Sequence, residues 1–225
     1  MNTESTAISA PLLSGHGRQR RGLAVTALAG WSGLFAAAPA QAGAQVEEPL
    51  ADAVRSALSR AIANSAPPKP QFVETEARLD YLRWLGEMSE RLRKRQADAT
   101  TRIEFLETVW YESKRAGLEP ALVLGLIQVE SGFRKYAISS AGARGYMQVM
   151  PFWARLIGGG DVTALFHLQT NLRFGCVILR HYLDIERGDL FLALGRYNGS
   201  RGRAPYPNLV FGARKTWDHK PSLAA

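Results

Sequence analysis

Residues 121–127 read ALVLGLI, seven positions in a row that are apolar or glycine. A helix built on that run has no face for water, so it must lie inside the molecule with other elements wrapped around it. Pro120 suits the first helical position and Gly132 the position just past the end, which sets a helix over residues 120–131. Glu130 stands at its C-terminal end. A carboxylate there is poorly solvated, and the negative end of the helix dipole opposes its charge. Both effects raise a carboxyl pKa and make a proton donor usable near neutral pH. Glu130 is therefore the candidate general acid. The competing reading is structural: a buried Glu is commonly ion-paired, and Arg134 and Lys135 are the nearby partners.

Helical patterns account for most of the remaining chain. Residues 50–63 read as a short helix ended by SAPPKP at 65–70. A longer pattern over 73–96 carries Leu79, Leu82, Leu85 and Met88, and closes on RLRKRQ, a solvated helix end. Ile103, Leu106, Val109 and Trp110 give one side to a helix over 99–116. SSAGARG at 139–145 is a loop, residues 146–150 a short helical turn, and Pro151 opens a helix ending at Gly158-Gly159-Gly160. Leu172, Cys176, Leu179 and Leu183 are spaced for burial on a helix over 168–186. Residues 189–196 continue as helix into YNGS, and 207–217 form a last one. No stretch alternates as a strand and no repeat is evident. The expected fold is mainly α.

The ends bear on destination. Arg18, Arg20 and Arg21 precede a mildly apolar run over 23–38 and then APAQAGA, which fits a signal peptide over residues 1–42 cleaved near 40 or 42. The run is too short and too rich in Gly and Ala to span a bilayer. The Arg20-Arg21 pair resembles a twin-arginine signal, but an ordinary Sec leader is the favoured route. A periplasmic location follows. Residues 43–98 read as linker and helical arm, 99–217 as the catalytic domain and 218–225 as a C-terminal tail. Cys176, the single cysteine, allows no intrachain disulfide and sits among apolar neighbours as a buried small hydrophobe. His16 and His219 lie near the termini, and no His, Cys or carboxylate spacing suggests a metal. No cofactor is expected. Net charge is +8, of which +6 lies beyond residue 42. Outside the cytoplasm such a surface suits anionic envelope partners, including peptide-bearing glycan strands. The basic residues are scattered without a recognised binding pattern, so nucleic acid is not an expected partner.

Four pieces of sequence stand in a telling order. They are Glu130-Ser131, SSAGARGYMQVMP over 139–151, NLRFG over 171–175, and YNGS over 197–200. In that order and spacing, residues 100 to 217 resemble the soluble lytic transglycosylase domain, which has a lysozyme-like helical fold with a glycan-binding groove. The resemblance implies that Glu130 is the sole catalytic acid and base. It would protonate the glycosidic oxygen leaving N-acetylmuramic acid, then take the proton of that sugar's C6 hydroxyl as a 1,6-anhydro ring closes. One carboxylate suffices because the substrate's 2-acetamido group stabilises the developing positive charge. Ser139 matches a loop serine that bonds sugar and acid, and Gln148 a residue that binds N-acetyl groups. Tyr146 and Met147 would line the groove. Tyr197 and Asn198 match a Tyr-Asn pair whose tyrosine hydroxyl positions the carboxyl and whose asparagine faces the sugar. Turn formers, plain core and a satisfied core tyrosine are the structural alternatives for these residues. The family's Ala-Gly after Tyr-Asn is Gly199-Ser200 here, which leaves the outer contacts, with Tyr206 and Asn208 as candidates, open.

The resemblance also implies peptidoglycan glycan strands as partner, a monomer, and service to an envelope-spanning secretion, conjugation or pilus apparatus or to wall turnover. Two rival functions remain. A goose-type muramidase would need a positioned water and normally a second acid; Asp161 and Asp184 lie in no recognisable motif for it. A catalytically silent wall-binding protein would be expected to have lost some of Glu130, Ser139, Gln148 and Tyr197.

Overall fold

The computed structural model of the chain describes residues 45–63, 70 and 72–220. The leader assigned to residues 1–42, and the last residues of the C-terminal tail, lie outside the described residues. Among the described residues eight α-helices run in chain order: α1 (Asp52–Ala63), α2 (Thr75–Leu92), α3 (Ala99–Arg115), α4 (Pro120–Glu130), α5 (Pro151–Ile157), α6 (Leu168–Ile185), α7 (Leu190–Asn198) and α8 (Pro205–Lys215). A 3-10 turn, Thr163–Phe166, was not foreseen. Among the described residues there is no β-strand, only two isolated bridges, so the mainly helical expectation is met.

Local chemistry sets the boundaries. Asp98 caps α3 by accepting from the Thr101 N–H at 2.7 Å, and Asp189 caps α7 by accepting from the Leu192 N–H at 3.0 Å. Proline opens α4, α5 and α8, where its missing N–H would have had no helical partner. Gly199 closes α7 in the left-handed conformation, φ +74°.

As its sequence requires, α4 is a buried helix. Leu122 to Ile127 are all buried. Its main neighbour is α8, and the backbones come close at Gly125: a Cβ there would lie 2.6 Å from the Arg214 nitrogen. The antiparallel course of α8 then carries its first turn back to the end of α4. α3 flanks both α4 and α6, while α6 also packs on α7.

The helices of residues 43–98 join the same core, through Leu58 of α1 and Tyr81, Trp84, Met88 and Leu92 of α2. On α2 the buried stripe differs from the expected one. Leu79 and Leu82 are 41% and 49% exposed, whereas Tyr81 and Trp84 turn inward to meet Trp110 at centroid distances of 5.1 and 4.8 Å. Both stripes have helical spacing, and the one carrying the larger aromatic area is buried.

Candidate active site

Glu130 is the last residue of α4, and the chain turns away immediately behind it. Ser131 bonds back to the Ile127 carbonyl through both its N–H (3.0 Å) and its hydroxyl (3.2 Å). Gly132 and Phe133 follow with φ of +58° and +68°. A phenylalanine in the left-handed region is strained. Packing holds it there, between Phe105 at 5.9 Å and Trp217 at 5.2 Å.

This sharp exit leaves the Glu130 carboxyl inside the protein, 5% exposed. Burial pushes its pKa up from 4.5 to about 8, and the opposing influence is a hydrogen bond from Tyr206. No cation offsets the burial. Among the described residues Glu130 forms no ion pair, and the Arg134 guanidinium instead donates to the Ser131 carbonyl at 2.8 Å. That removes the structural alternative of an ion pair with Arg134 or Lys135. The carboxyl is asymmetrically served: the Tyr206 hydroxyl donates to Oε1, while Oε2 is buried without a partner. A polar atom left in that state marks a place where a ligand's hydrogen-bonding atom would be welcome.

Residues 144–149 make a tight turn closed by an Arg144–Val149 bridge, rather than the expected short helix. Gln148 has φ +48°, which a helix cannot accommodate, and its side-chain amide donates to the carbonyls of Gly145 (2.9 Å) and Ala137 (3.1 Å). Asn171 of α6, fully buried, pins the turn. It accepts from the Met147 N–H at 2.8 Å and donates to the carbonyls of Arg144 and Leu165 at 2.8 and 2.7 Å. Gly145 must be glycine for this to happen, since its φ is +76° and a Cβ would meet the Asn171 amide at 2.3 Å.

These contacts change several sequence-based assignments. Tyr197 is wholly buried and its hydroxyl donates to the Met147 carbonyl at 2.8 Å, so it braces the turn rather than holding the Glu130 carboxyl. The holding hydroxyl belongs to Tyr206, which α8 delivers. Met147 is fully buried and Tyr146 is 3% exposed with its ring 4.9 Å from Phe105, so both are core rather than groove lining. Gln148, 2% exposed, spends its amide hydrogens on backbone carbonyls instead of displaying them to a ligand. Ser139 remains partly exposed, with its Oγ accepting from the Ala143 N–H at 3.1 Å. Asn198 donates to the Ser200 hydroxyl at 3.2 Å and leaves its own Oδ1 buried and unpartnered. Asn171 was visible only as part of NLRFG; nothing in the sequence says which backbone a buried asparagine will satisfy.

Among the described residues no group of three or more His, Cys, Asp or Glu is placed to hold a metal ion. Cys176 is buried, and burial pushes its thiol well up, which keeps it protonated. No helix of the described residues is long and apolar enough to cross a membrane.

The family model described as "Transglycosylase SLT domain" matches residues 107–218. A protein named "Transglycosylase" from Enterobacteria phage PRD1 is 35% identical over 124 residues, covering 49% of this chain and 45% of that protein. "Membrane-bound lytic murein transglycosylase C" of Actinobacillus pleuropneumoniae is 50% identical over 95 residues, covering 41% of this chain and 24% of the relative. The chain thus spans less than half the length of these curated relatives. Among solved structures, an inactive mutant of lytic transglycosylase Slt from Pseudomonas aeruginosa aligns with a TM-score of 0.39 and 22% identity, covering 63% of this chain and 27% of that one.

Proposed function

Because residues 107–218 are a domain of the transglycosylase SLT family, we propose that the protein is a peptidoglycan lytic transglycosylase working through Glu130 alone. The observation that carries the reading is a buried carboxyl with pKa near 8 whose Oε2 has no partner among the described residues. Such a group is neutral at physiological pH and holds a hydrogen ready to give. The two relatives above, named as a transglycosylase and a lytic murein transglycosylase, support the same chemistry.

The reaction balances on one proton. Glu130 gives its hydrogen to the β-1,4 glycosidic oxygen between N-acetylmuramic acid and N-acetylglucosamine, and the C1–O bond breaks. The 2-acetamido oxygen shares the positive charge at C1, a task a second carboxylate would otherwise perform. The Glu130 carboxylate then accepts the C6 hydroxyl proton as C6–O attacks C1, closing the 1,6-anhydro ring without consuming water. Tyr206 steadies Oε1 through both steps and stabilises the carboxylate that exists between them. Ser139 and Asn198 are the remaining candidates to bond the sugar, since one is partly exposed and the other keeps a free acceptor. The leader-like residues 1–42 favour action in the periplasm, as a monomer serving wall turnover or an envelope-spanning secretion or conjugation apparatus.

Digestion of purified sacculi, with product ends read by mass spectrometry, tests this reading. Anhydro ends from the wild-type protein and none from Glu130→Gln are expected. Reducing ends that have gained water would instead assign the chain to the muramidases, and binding without cleavage would make it a silent wall-binding protein.

A further inference from the structure

Between α1, α3 and α6 lies a cavity of about 780 Å³. Close-packed interiors do not leave gaps of that size, whereas sites for small molecules do. Its apolar walls come from Val54 and Leu58 of α1 and from Val177 and Ile185 of α6, with the small Ala57 and Ala116 between them. Glu130, Tyr206, Ser139 and Asn198 take no part in it. One wall, α1, precedes the residues 107–218 that match the SLT domain, so the cavity is completed from outside that domain.

The lining selects a class of molecule. Among the described residues no Phe, Tyr or Trp lines the cavity, so it offers no flat face on which a sugar or a nucleobase would stack. Branched aliphatic side chains and alanines suit a flexible aliphatic chain instead. Charge sits on Glu112, Arg115, Arg180 and Asp184 of the lining. Arg173 takes the Glu112 carboxylate through two hydrogen bonds, at 3.1 and 2.7 Å, and leaves Arg115 one long contact with it at 3.5 Å. The other bond of Arg115 goes to the neutral Ala61 carbonyl. Arg180 pairs with Asp184, but the Asp184 side chain is 66% exposed against 33% for Arg180, so water screens the carboxylate more than the guanidinium. The Arg180 Nε is buried without a hydrogen-bond partner among the described residues, a costly state for a donor unless a ligand acceptor meets it. His181 also lines the cavity; burial lowers its pKa from 6.5, so it adds no charge at neutral pH.

Aliphatic walls, incompletely neutralised arginines and an unmet N–H donor complement an aliphatic chain that ends in an anion. We propose that the α1–α3–α6 cavity binds a fatty-acid-like amphiphile, its chain against Leu58 and Val177 and its carboxylate on Arg180. A ligand held there bridges α1 to α6, so occupancy should raise the thermal midpoint of the protein. The site stands apart from Glu130 and holds whether or not the chain cleaves peptidoglycan.

Equilibrium dialysis of the full chain against dodecanoate, kept below its micelle concentration, tests the site. Saturable binding is expected, weaker by roughly 10-fold for decanoate, which is two methylenes shorter. Ala57→Trp, at an exposed position of α1, should fill the cavity and cut affinity by about 10-fold or more. Arg180→Gln should cut it by roughly 3- to 10-fold. A thermal melt without ligand checks that each variant is folded, and if one is not, the other and the chain-length comparison decide. Absence of saturable binding, or binding that neither substitution weakens, overturns the proposal. Equal binding of dodecylamine would overturn the anionic assignment. Binding to phosphatidylglycerol vesicles alone would overturn the site in favour of a membrane surface. A dimer in sedimentation that Ala57→Trp dissolves and dodecanoate does not would overturn it in favour of a second copy of the chain.

Discussion

Glu130 titrates in the folded protein near 8 against an ordinary 4.5, because burial disfavours its charged form. Between those two pH values the folded state holds the proton and the unfolded state has lost it. Stability must therefore fall as pH rises through that window, by about 1.4 kcal/mol per pH unit from this one group, and level off above it. Glu130→Gln removes the titration, so its urea-unfolding free energy should stay flatter than wild type between pH 5 and 8. Tyr206→Phe has the complementary effect. The hydroxyl favours the carboxylate, so its loss raises the Glu130 pKa further and strips the reaction of a charge-assisted hydrogen bond of about 1.5–3 kcal/mol. A fall in kcat of roughly 10- to 100-fold follows. The basic limb of the pH–rate profile should also move upward, a shift that mere loss of packing would not produce. Glu130 was legible because a glutamate closing an all-apolar helix leaves few alternatives. Tyr206 was named only as an outer contact, since the residues around it do not say which helix α8 will lie against.

The pairing of α4 with α8 gives the site its precision. Gly125 lets the two backbones touch, and a methyl there would fall within 3.2 Å of three backbone atoms of Ala213 and Arg214. Backbone cannot swing aside as a side-chain tip can. Gly125→Ala should cost about 1–3 kcal/mol in thermal or denaturant unfolding, and should lower kcat as well, by lifting Tyr206 away from Glu130. The helix inventory was readable from capping residues and 3.6-residue spacing, with ends correct to within a few residues. Two things were not readable. On α2 the expected Met88 is buried and Leu85 partly so, but Leu79 and Leu82 face out while Tyr81 and Trp84, at the same helical period, turn in against Trp110 of α3. At residues 146–150 a short helical turn was expected, but the backbone closes instead as the Arg144–Val149 bridge with Gln148 at φ +48°, held by the Asn171 side chain and the Tyr197 hydroxyl.

Across the molecule, a buried ion pair ties distant parts of the sequence together. Arg173 of α6 donates to Glu112 of α3 through Nε at 3.1 Å and a terminal nitrogen at 2.7 Å, and Arg115 stands 3.5 Å from the other carboxylate oxygen. The same two arginines reach the final carbonyls of α1, Ile62 and Ala61, so α1 is seated on the pair. Removing Arg173 leaves the buried Glu112 carboxylate with Arg115 alone, at 3.5 Å. Arg173→Met should destabilise the protein by about 3–5 kcal/mol in denaturant titration, whereas replacing Arg173 and Glu112 together with apolar residues should cost less. No sequence pattern could have paired residues 112 and 173, and the notion of residues 43–98 as an arm took no account of that seat.

The account turns on whether the Glu130 carboxyl is neutral at physiological pH. Carbon-13 NMR of protein labelled at the glutamate side-chain carboxyl, with the Glu130 signal identified by its loss in Glu130→Gln, reads this directly. A titration midpoint near 8 is expected. A midpoint near 4.5 would mean a solvated, charged carboxylate with no hydrogen to give, and would contradict the mechanism.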